Sequence, residues 1–172
     1  MNNTLFLCEP QLEDEIDFLT AMQASQSLHH PWVYPPANHE EFIEYIQRFK
    51  QANQKGYLLC QRNVGIVGIF NFSEIVRGGF QNAYLGFYAV AGFDNKGYMS
   101  QGLKLALKKA FTELGLHRIE ANIQPANTKS INLVKANGFR LEGFSPHYLK
   151  VNGAWRDHER WAMTMEDWAR LI

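Results

Sequence analysis

One strand-loop-helix-strand unit near the middle of the sequence constrains the fold more than any other feature. An apolar run at 83–90 leads through a polar loop at 92–97 into a long helical pattern that stops at Gly115. The apolar side chains of this helix recur at the spacing of one buried face: Leu103, Leu107, Ala110, Phe111 and Leu114. A second strand pattern at 117–124 completes the unit. Parallel neighbouring strands need such a crossover, so the unit predicts a mixed sheet.

The other strand patterns have antiparallel character. They lie at 5–8, 57–62, 66–73, 139–151 and 154–165. Short turns connect the run at 57–62 to the run at 66–73, and that run to the strand at 83–90. These three strands are therefore expected to form an antiparallel meander. A short helix at 127–136 precedes the last two runs, and Asn152-Gly153 between them favours a tight hairpin turn. We therefore expect an α/β or α+β fold with helices on both faces of the sheet.

Two helices are predicted between the first strand and the meander. The first begins after Pro10, and its expected apolar face consists of Leu12, Ile16, Leu19 and Met22. The prolines of a loop at 29–37 cannot continue this helix. Asn38, with Glu41 three positions later, resembles a capping box and begins the second helix, which we expect to end at Gly56. Its apolar stripe consists of Phe42, Ile46 and Phe49.

Composition limits the classes of function. The 172 residues carry 17 Lys and Arg against 17 Asp and Glu, and this balance argues against nucleic acid or an anionic membrane as the main partner. The length fits one domain over residues 1–172. Neither a signal peptide nor an apolar stretch long enough for a membrane span is visible, so a cytoplasmic location is expected. Cys8 and Cys60 lack metal-ligand spacing, as do the six histidines, so we expect buried thiols and no metal site.

The loop before the long helix is a candidate anion site. Tyr88, Ala89 and Val90 end the strand before it, and the residues from Asn95 to Met99 lead into the helix. The first N–H groups of a helix have no acceptor within it and lie at the positive end of the helix dipole, which suits a phosphate. Glycine and asparagine allow left-handed conformations that aim successive amides at one anion. The loop lacks the Gly-Lys-Ser/Thr ending of a P-loop, which disfavours nucleotide triphosphate hydrolysis.

A series of short motifs extends from this loop almost to the last residue. They are Lys96-Gly97, His117-Arg118-Ile119, Asn127 with Ser130, Gly138-Phe139, Glu142-Gly143, Tyr148-Leu149, Asn152-Gly153, Trp155, Asp157-His158 and Asp167-Trp168. Together they resemble the GNAT acyltransferases, and in particular the branch that acetylates the N-terminal alanine or serine of ribosomal proteins. The resemblance is dense over residues 66–168, whereas residues 1–65 agree only in element order. Asn95 departs from the family, which usually has glycine there.

The resemblance implies a GNAT fold, with a mixed and mostly antiparallel sheet of about six to seven strands and a central strand pair that splays apart. Acetyl-CoA, as cosubstrate, would lie in that opening. The backbone of Tyr88, Ala89 and Val90 would pair with its pantetheine amides. The amides that would hold its pyrophosphate are those of Asn95, Lys96, Gly97, Tyr98 and Met99. Asn127 would bind the cosubstrate through its side chain, and the Ser130 hydroxyl would lie near the thioester sulfur.

The implied reaction is direct attack of a neutral amine on the thioester. Ser130 is the candidate proton donor to the leaving thiolate, because Val134 stands where many GNAT enzymes have a tyrosine. Asn122 stands where several relatives have a glutamate base, and we expect it to hold a water. At pH 7 an α-amine is roughly 10 to 15% neutral and a lysine only about 0.04%, so the missing carboxylate favours an α-amine acceptor. The rival bases are Glu74, Glu120 and Glu142.

Aromatic residues are the candidates for an acceptor groove. Trp32 and Tyr34 lie in the loop between the two N-terminal helices, which borders the acceptor site in GNAT relatives, and Tyr148 lies in the last hairpin. The favoured acceptor is a protein N-terminus, such as that of a ribosomal protein. A small amine, such as an antibiotic, a polyamine or an amino-acid derivative, is the alternative acceptor. A noncatalytic acyl-CoA-binding module is a third interpretation.

The histidines form no catalytic pattern of their own. His29, His30 and His39 lie in or beside the proline-containing loop, where solvated or acceptor-lining side chains are expected. Asp157 and His158 are adjacent, so in a strand they point to opposite faces and cannot form a relay. We therefore expect a structural role for His158.

Overall fold

A computed structural model describes residues 4–172. The strands are β1 (Leu5–Cys8), β2 (Lys55–Gln61), β3 (Gly65–Val76), β4 (Asn82–Ala89), β5 (Arg118–Ile123), β6 (Arg140–Val151) and β7 (Ala154–Thr164). They form one seven-stranded sheet in the order β1-β2-β3-β4-β5-β7-β6. The β4–β5 pair is parallel and the other described pairs are antiparallel. The expected mixed, mostly antiparallel sheet is confirmed.

Six helices surround the sheet. They are α1 (Glu15–Ala24), α2 (Gln26–His29), α3 (His39–Arg48), α4 (Tyr98–Lys108), α5 (Thr128–Ala136) and α6 (Met165–Ala169). A 3₁₀ turn at Leu12–Asp14 precedes α1, and a π-helical turn at Lys109–Glu113 continues α4. None of the helices described within residues 4–172 is long and apolar enough to cross a membrane.

Two apolar cores lie on opposite faces of the sheet, as expected. The core beneath α4 and α5 includes Phe70, Phe72, Leu103, Leu107 and Phe111. The core beneath α1 and α3 includes Phe18, Phe42, Leu58, Ile69 and Tyr88. Successive strand residues point to opposite faces, so β3 and β4 contribute side chains to both cores.

Two glycines bring α4 close to the sheet. A Cβ atom on Gly102 would lie 2.5 Å from Leu59 Cδ2 and 2.7 Å from Phe70 Cε2, and one on Gly68 would lie 2.5 Å from Met99 Sδ. Real Cβ contacts are essentially never this short, so an added side chain at either position would force these neighbours to shift. The two glycines thus allow α4 to pack closely on the sheet.

The central strand pair separates after a short stretch. β4 and β5 pair only at Asn82 with Arg118, Ala83 with Ile119 and Tyr84 with Glu120. Beyond these pairs, β4 continues along β3 as far as Ala89, whereas β5 continues along β7 as far as Ile123. The splayed pair that the family resemblance implied is therefore present.

Two expectations for the N-terminal helices are wrong. Leu12 and Ile16 are 55% and 79% exposed, whereas Met22 is buried as expected and the half-buried Leu19 packs against the core. Phe18 is the buried residue of α1 that the expected face left out. Leu12 lies in the 3₁₀ turn before α1, so the apolar face of the helix cannot be extrapolated back to it. The second helix ends at Arg48, and Gly56 lies inside β2.

Gly56 has a packing role in place of the expected helix stop. A Cβ atom there would lie 2.3 Å from Cζ of Phe49, so the glycine makes room for that ring. The expected caps agree with the structure: Glu41 N donates to Asn38 Oδ1 at 2.9 Å. Cys8 and Cys60 are half-buried, with their Sγ atoms 3.6 Å apart.

Candidate functional site

The gap between the separated strands opens into a cavity of about 670 Å³. The expected site residues that line it are Trp32, Tyr88, Ala89, Asn95, Gly97, Met99, Asn122, Asn127 and Ser130. The expected site residues outside this lining are Tyr34, Val90, Lys96, Tyr98 and Tyr148. One cavity thus joins the end of β4, the loop before α4, the end of β5 and the start of α5.

The loop before α4 turns through three left-handed residues. Gly92, Asn95 and Gly97 have φ values of 85°, 58° and 79°. Asparagine tolerates this conformation better than most residues, so Asn95 keeps the turn that the usual glycine would make. Gly97 is the residue before α4, and its carbonyl accepts the first helical hydrogen bond, from Gln101 N at 3.1 Å. The N–H groups of the first turn of α4, including those of Met99 and Ser100, point out of the N-terminus of the helix, where these residues line the cavity.

Side-chain contacts hold this loop in place. Asn95 Nδ2 donates to Asp94 Oδ2 at 2.9 Å, and Asp94 lies 3.9 Å from Lys129 Nζ at the start of α5. Lys96 Nζ lies 5.9 Å from the centroid of the Phe93 ring. The charged side chains in the cavity lining are Arg48, Lys129 and Asp94. This excess of positive charge suits a ligand that carries phosphates.

Some backbone groups at the end of β4 already form hydrogen bonds within the protein. Val90 N donates to Val67 O at 3.1 Å, so this amide belongs to the β3 ladder. The Ala89 carbonyl oxygen lies 2.7 Å from Nε2 of His29, which is only 2% exposed. A carbonyl can only accept, so Nε2 of His29 carries the hydrogen. Burial lowers the pKa of His29 below that of an ordinary histidine, which keeps the ring neutral.

A second bond ties the N-terminal helices to the same region. The buried Ser25 hydroxyl accepts from Ala91 N at 2.8 Å and donates to Ala21 O at 2.6 Å. Together with the His29 bond, it attaches the junction of α1 and α2 to the last residues before the loop. No spacing rule in the sequence identifies either contact, because the paired residues lie 60 and 66 positions apart.

The start of α5 presents two of the expected residues. Ser130 N donates to Asn127 Oδ1 at 3.2 Å, so Asn127 caps the helix and has its Nδ2 amine available for a ligand. The Ser130 hydroxyl lines the cavity and forms no hydrogen bond within residues 4–172. Val134 is fully buried in the core and offers no proton donor.

Asn122, which stands at the position of the general base in several relatives, lines the cavity. Its Oδ1 atom is buried and has no hydrogen-bond partner in the described part of the chain. Such an unsatisfied buried acceptor is costly, and a donor from a ligand or a water would satisfy it. β5 places Asn122 opposite Arg160 of β7.

The three rival carboxylates are all outside the cavity lining. Glu120 accepts from Arg118 Nε at 2.8 Å, and Gln54 Nε2 lies 3.4 Å from Glu74 Oε1. Glu142 pairs with Arg118 and Arg140, and the hydrogen bond from Arg118 holds the pKa of Glu142 below its usual range. These groups are engaged in surface ion pairs and polar contacts, so none of them is placed to take a proton in the cavity.

The remaining aromatic candidates border the site. Asn152 Nδ2 donates to the Tyr34 hydroxyl at 3.1 Å, and Tyr34 lines a second cavity of about 870 Å³. The residues common to both cavities are Val33, Arg48, Asn71 and Tyr88. Tyr148 packs 6.3 Å from His158, ring centroid to centroid, and its hydrogen bond raises the pKa of Tyr84 to about 12. Tyr148 is therefore next to the cavity lining, in contact with His158, but is not part of it.

Known proteins share this arrangement. The sequence profile of the family described as "Acetyltransferase (GNAT) domain" matches residues 4–140. The chain belongs to the GNAT acetyltransferase family. The GNAT resemblance inferred from the motifs is thereby confirmed, together with the fold class.

Among GNAT relatives, [Ribosomal protein uS5]-alanine N-acetyltransferase of Escherichia coli is 40% identical over 103 residues, which cover 60% of this chain and 53% of that protein. The chain thus matches about half the length of this relative. Mycobacterium smegmatis RimJ, solved in complex with CoA-disulfide, superposes with a TM-score of 0.86 at 25% identity, covering 96% of this chain and 84% of that one. A spermidine N-acetyltransferase from Vibrio cholerae, solved with CoA and spermine, gives 0.81 at 19%, covering 96% and 98%.

The GNAT site has the features that CoA requires. The separated strands provide an opening, the left-handed loop and the α4 N-terminus provide backbone donors for a pyrophosphate, and Asn127 Nδ2 provides a side-chain donor. The unpartnered Oδ1 atom of Asn122 provides an acceptor deeper in the cavity. Residues 4–172 contain no group of three or more side chains that could hold a metal ion.

Proposed function

We propose that this chain transfers an acetyl group from acetyl-CoA to the N-terminal α-amine of a protein, such as a ribosomal protein, in the cytoplasm. The observation that carries this proposal is the cavity between β4 and β5, which reaches from a phosphate-type loop to an unsatisfied polar group, Asn122. The similarity to a ribosomal-protein alanine acetyltransferase supports the choice of acceptor.

Cosubstrate binding follows from the backbone geometry. The pyrophosphate accepts hydrogen bonds from the amides between Asn95 and Met99, and the positive end of the α4 dipole favours its charge. The pantetheine extends along the free part of β4, where residues 88–90 run beside the gap. Val90 N donates to Val67 O, so by strand alternation the backbone groups of Tyr88 also face β3. Ala89 faces the gap, and because its carbonyl is bonded to His29, Ala89 N is the group of residues 88–90 that would pair with the pantetheine.

The chemistry is a direct transfer. The neutral amine attacks the thioester carbonyl carbon, the carbon–sulfur bond breaks, and the thiolate receives a proton. Ser130 delivers that proton, and its position in the cavity lining supports this role. Asn122 Oδ1 accepts a hydrogen bond from the amine or from a water beside it and orients the lone pair for attack.

The residues that line the cavity support this choice of acceptor. Asp94 is the carboxylate in the lining, and it lies in the loop beside Lys129, at the phosphate end. An amine must therefore lose its proton without a carboxylate beside it. An α-amine is neutral far more often than a lysine side chain at pH 7, which makes a protein N-terminus the better acceptor. Trp32, in the lining, would contact the first residues of the peptide, with Tyr34 and Tyr148 at the border of the groove.

A thiol-release assay with acetyl-CoA tests this proposal. Peptides that begin with Ala or Ser should release CoA, and the same peptides with a blocked N-terminus and an internal lysine are the matched control. Mass spectrometry should place the acetyl group on the α-nitrogen. Turnover of spermidine without turnover of the peptides would overturn the proposed acceptor in favour of a small amine. If no amine releases CoA while CoA still binds in calorimetry, the chain is an acyl-CoA-binding module.

A further inference from the structure

His158 lies in the cavity wall and has no role in the steps above. It belongs to β7, is only 3% exposed and lines the cavity. Its Nδ1 atom lies 2.9 Å from the carbonyl oxygen of Arg156 on the same strand. Because that oxygen can only accept, Nδ1 carries the hydrogen. The neutral ring therefore presents an unprotonated Nε2 on its far edge, away from the strand backbone.

Sheet register places His158 beside Asn122. Asn122 stands opposite Arg160, and His158 lies two residues before Arg160 on the same strand. These three side chains share one face, opposite the face that α4 and α5 cover. His158 and Asn122 are diagonal neighbours, with a typical separation of about 7–8 Å, so one amine can approach both side chains.

The other histidine in the cavity lining, His29, already uses one ring nitrogen in a hydrogen bond. The Nε2 atom of His29, at the far edge of its ring, is bonded to Ala89 O, and its Nδ1 atom is buried without a partner. His158 has the opposite orientation, since its inner nitrogen is bonded and its outer nitrogen has no hydrogen-bond partner in the part of the chain that is described. Of the two imidazoles, His158 is the one that can receive a proton in the cavity.

The charged and titratable groups around His158 come from several elements. Arg156 and Arg160 lie on its own face of β7, Tyr148 packs against it from β6, and Arg48, Lys129 and Asp94 line other parts of the cavity. The carboxylates next to it in sequence are engaged elsewhere. Asp157 Oδ1 accepts from His147 N at 2.8 Å, and Glu159 Oε2 accepts from Trp161 Nε1 at 2.9 Å. His158 therefore has no carboxylate partner of the kind found in a catalytic triad.

We propose that Nε2 of His158 accepts the proton that the acceptor ammonium must lose before it attacks acetyl-CoA. This inference rests on the proposed acetyl transfer and names its base. It also replaces the expectation, drawn from the sequence, that His158 is structural. Imidazole exchanges a proton near neutral pH, which suits a general base for an α-amine.

The proton balance is complete without another reagent. The ammonium gives one proton to Nε2, which leaves a neutral amine and an imidazolium. The amine nitrogen forms a bond to the carbonyl carbon, the carbon–sulfur bond breaks, and the second amine proton reaches the thiolate by way of Ser130. The imidazolium then returns its proton to solvent, and the products are an amide and free CoA.

The test is His158→Asn, because the asparagine amide can still donate to Arg156 O from the position of Nδ1 but has no counterpart of Nε2. At pH 7, kcat with a peptide that begins with Ala should fall about 100-fold or more, as is typical for loss of a general base. Calorimetry should give the wild-type affinity for CoA. The pH profile of kcat/KM should follow the fraction of neutral acceptor amine, because the variant lacks the group that removes the ammonium proton.

A second acceptor separates chemistry from structure. An amine whose pKa lies well below the assay pH needs no base, so with it the variant should recover most of the wild-type rate. The matched control is His147→Asn, because His147 is an exposed residue of the neighbouring strand β6. This variant should keep wild-type kinetics. Equal losses with both amines, or a His158→Asn rate within about threefold of wild type, would overturn the role of His158. If none of the tested amines makes the wild-type protein release CoA, the proposed function fails, and this inference fails with it.

Discussion

Gly97 and Asn95 differ in side chain but share a backbone conformation. Both have positive φ, at 79° and 58°. The atom nearest to a Cβ on Gly97 would be Gln101 Nε2, at 4.0 Å, so the requirement for glycine there comes from the backbone and not from space. A left-handed conformation costs an ordinary residue roughly 1–2 kcal/mol. Asn95 shows that the loop can meet this requirement without glycine.

Gly97→Ala should therefore lower the free energy of unfolding by about 1–2 kcal/mol and weaken CoA binding, because the strained residue begins α4. Chemical denaturation and calorimetry measure the two effects. Gly79→Ala is the control, since Gly79 has ordinary φ and open space around it. Wild-type CoA affinity in Gly97→Ala would argue against the loop as the pyrophosphate site.

His29 should make stability depend on pH. Burial lowers its pKa in the folded protein, so the unfolded chain binds a proton more readily. The free energy of unfolding should fall as pH drops below about 6.5, the pKa of an unperturbed histidine, and should stop falling below the folded pKa. His29→Gln, which can still donate to Ala89 O, should remove this part of the dependence in denaturation curves at pH 5 to 7. An unchanged slope would show that other groups cause it.

At the scale of elements, the contact between α4 and β3 positions the loop. A Cβ on Gly102 would overlap Leu59 and Phe70. Overpacking of this kind typically costs about 1–3 kcal/mol. We expect Gly102→Ala to lower the free energy of unfolding by that amount and to weaken CoA binding, because the helix start moves with the helix. Lys104→Ala, on the exposed side of α4, should change neither quantity in the same assays.

Element boundaries were predictable where local chemistry sets them. Asn38 and Asn152-Gly153 specify a cap and a turn within a few residues, and both occur where expected. The errors arose where tertiary contacts decide. The sequence predicts a helix stop at Gly56, but this glycine makes room for Phe49, a contact that sequence spacing does not encode. Phe18 is buried in place of Ile16 because of the face that α1 turns towards the sheet, and the apolar spacing of the helix does not fix that face.

At the scale of the whole molecule, a charged cluster connects the later strands. Arg118 of β5 pairs with Glu142 of β6, Glu142 pairs with Arg140, and Arg140 pairs with Asp167 of α6. The hydrogen bond from Arg118 lowers the pKa of Glu142, and the bond from the Thr164 backbone N–H lowers that of Asp167. Four residues thus join β5, β6 and α6 on one surface.

This cluster predicts acid sensitivity. A carboxylate with a lowered folded pKa contributes stability above its unfolded pKa of about 4, and that stability is lost as pH falls through the folded value. Glu142→Gln should reduce the free energy of unfolding at pH 7 and should flatten its decline below pH 4. Thermal unfolding across this range measures both effects, and high salt should weaken them because the pairs are partly exposed. Equal curves for the two proteins would contradict the prediction.

Sequence motifs identified much of the cavity, because a loop before a helix and an asparagine cap are local features. They do not predict the hydrogen bonds of Ser25 and His29, whose partners lie 66 and 60 residues away. For His158 the sequence predicts a structural role, because its neighbour Asp157 points to the other face of the strand. Its orientation towards the cavity depends on the pairing of β5 with β7, which the sequence alone does not specify.

The separation of β4 from β5 has a consequence for how the molecule responds to its cosubstrate. Only three residue pairs join the two strands, so the sheet is narrowly connected at its centre. A molecule that pairs with the free edge of β4 would act as an inserted half-strand between the two parts of the sheet. Binding would then stabilise the connection between the two parts of the sheet, so that acetyl-CoA would have a structural role as well as being a reactant.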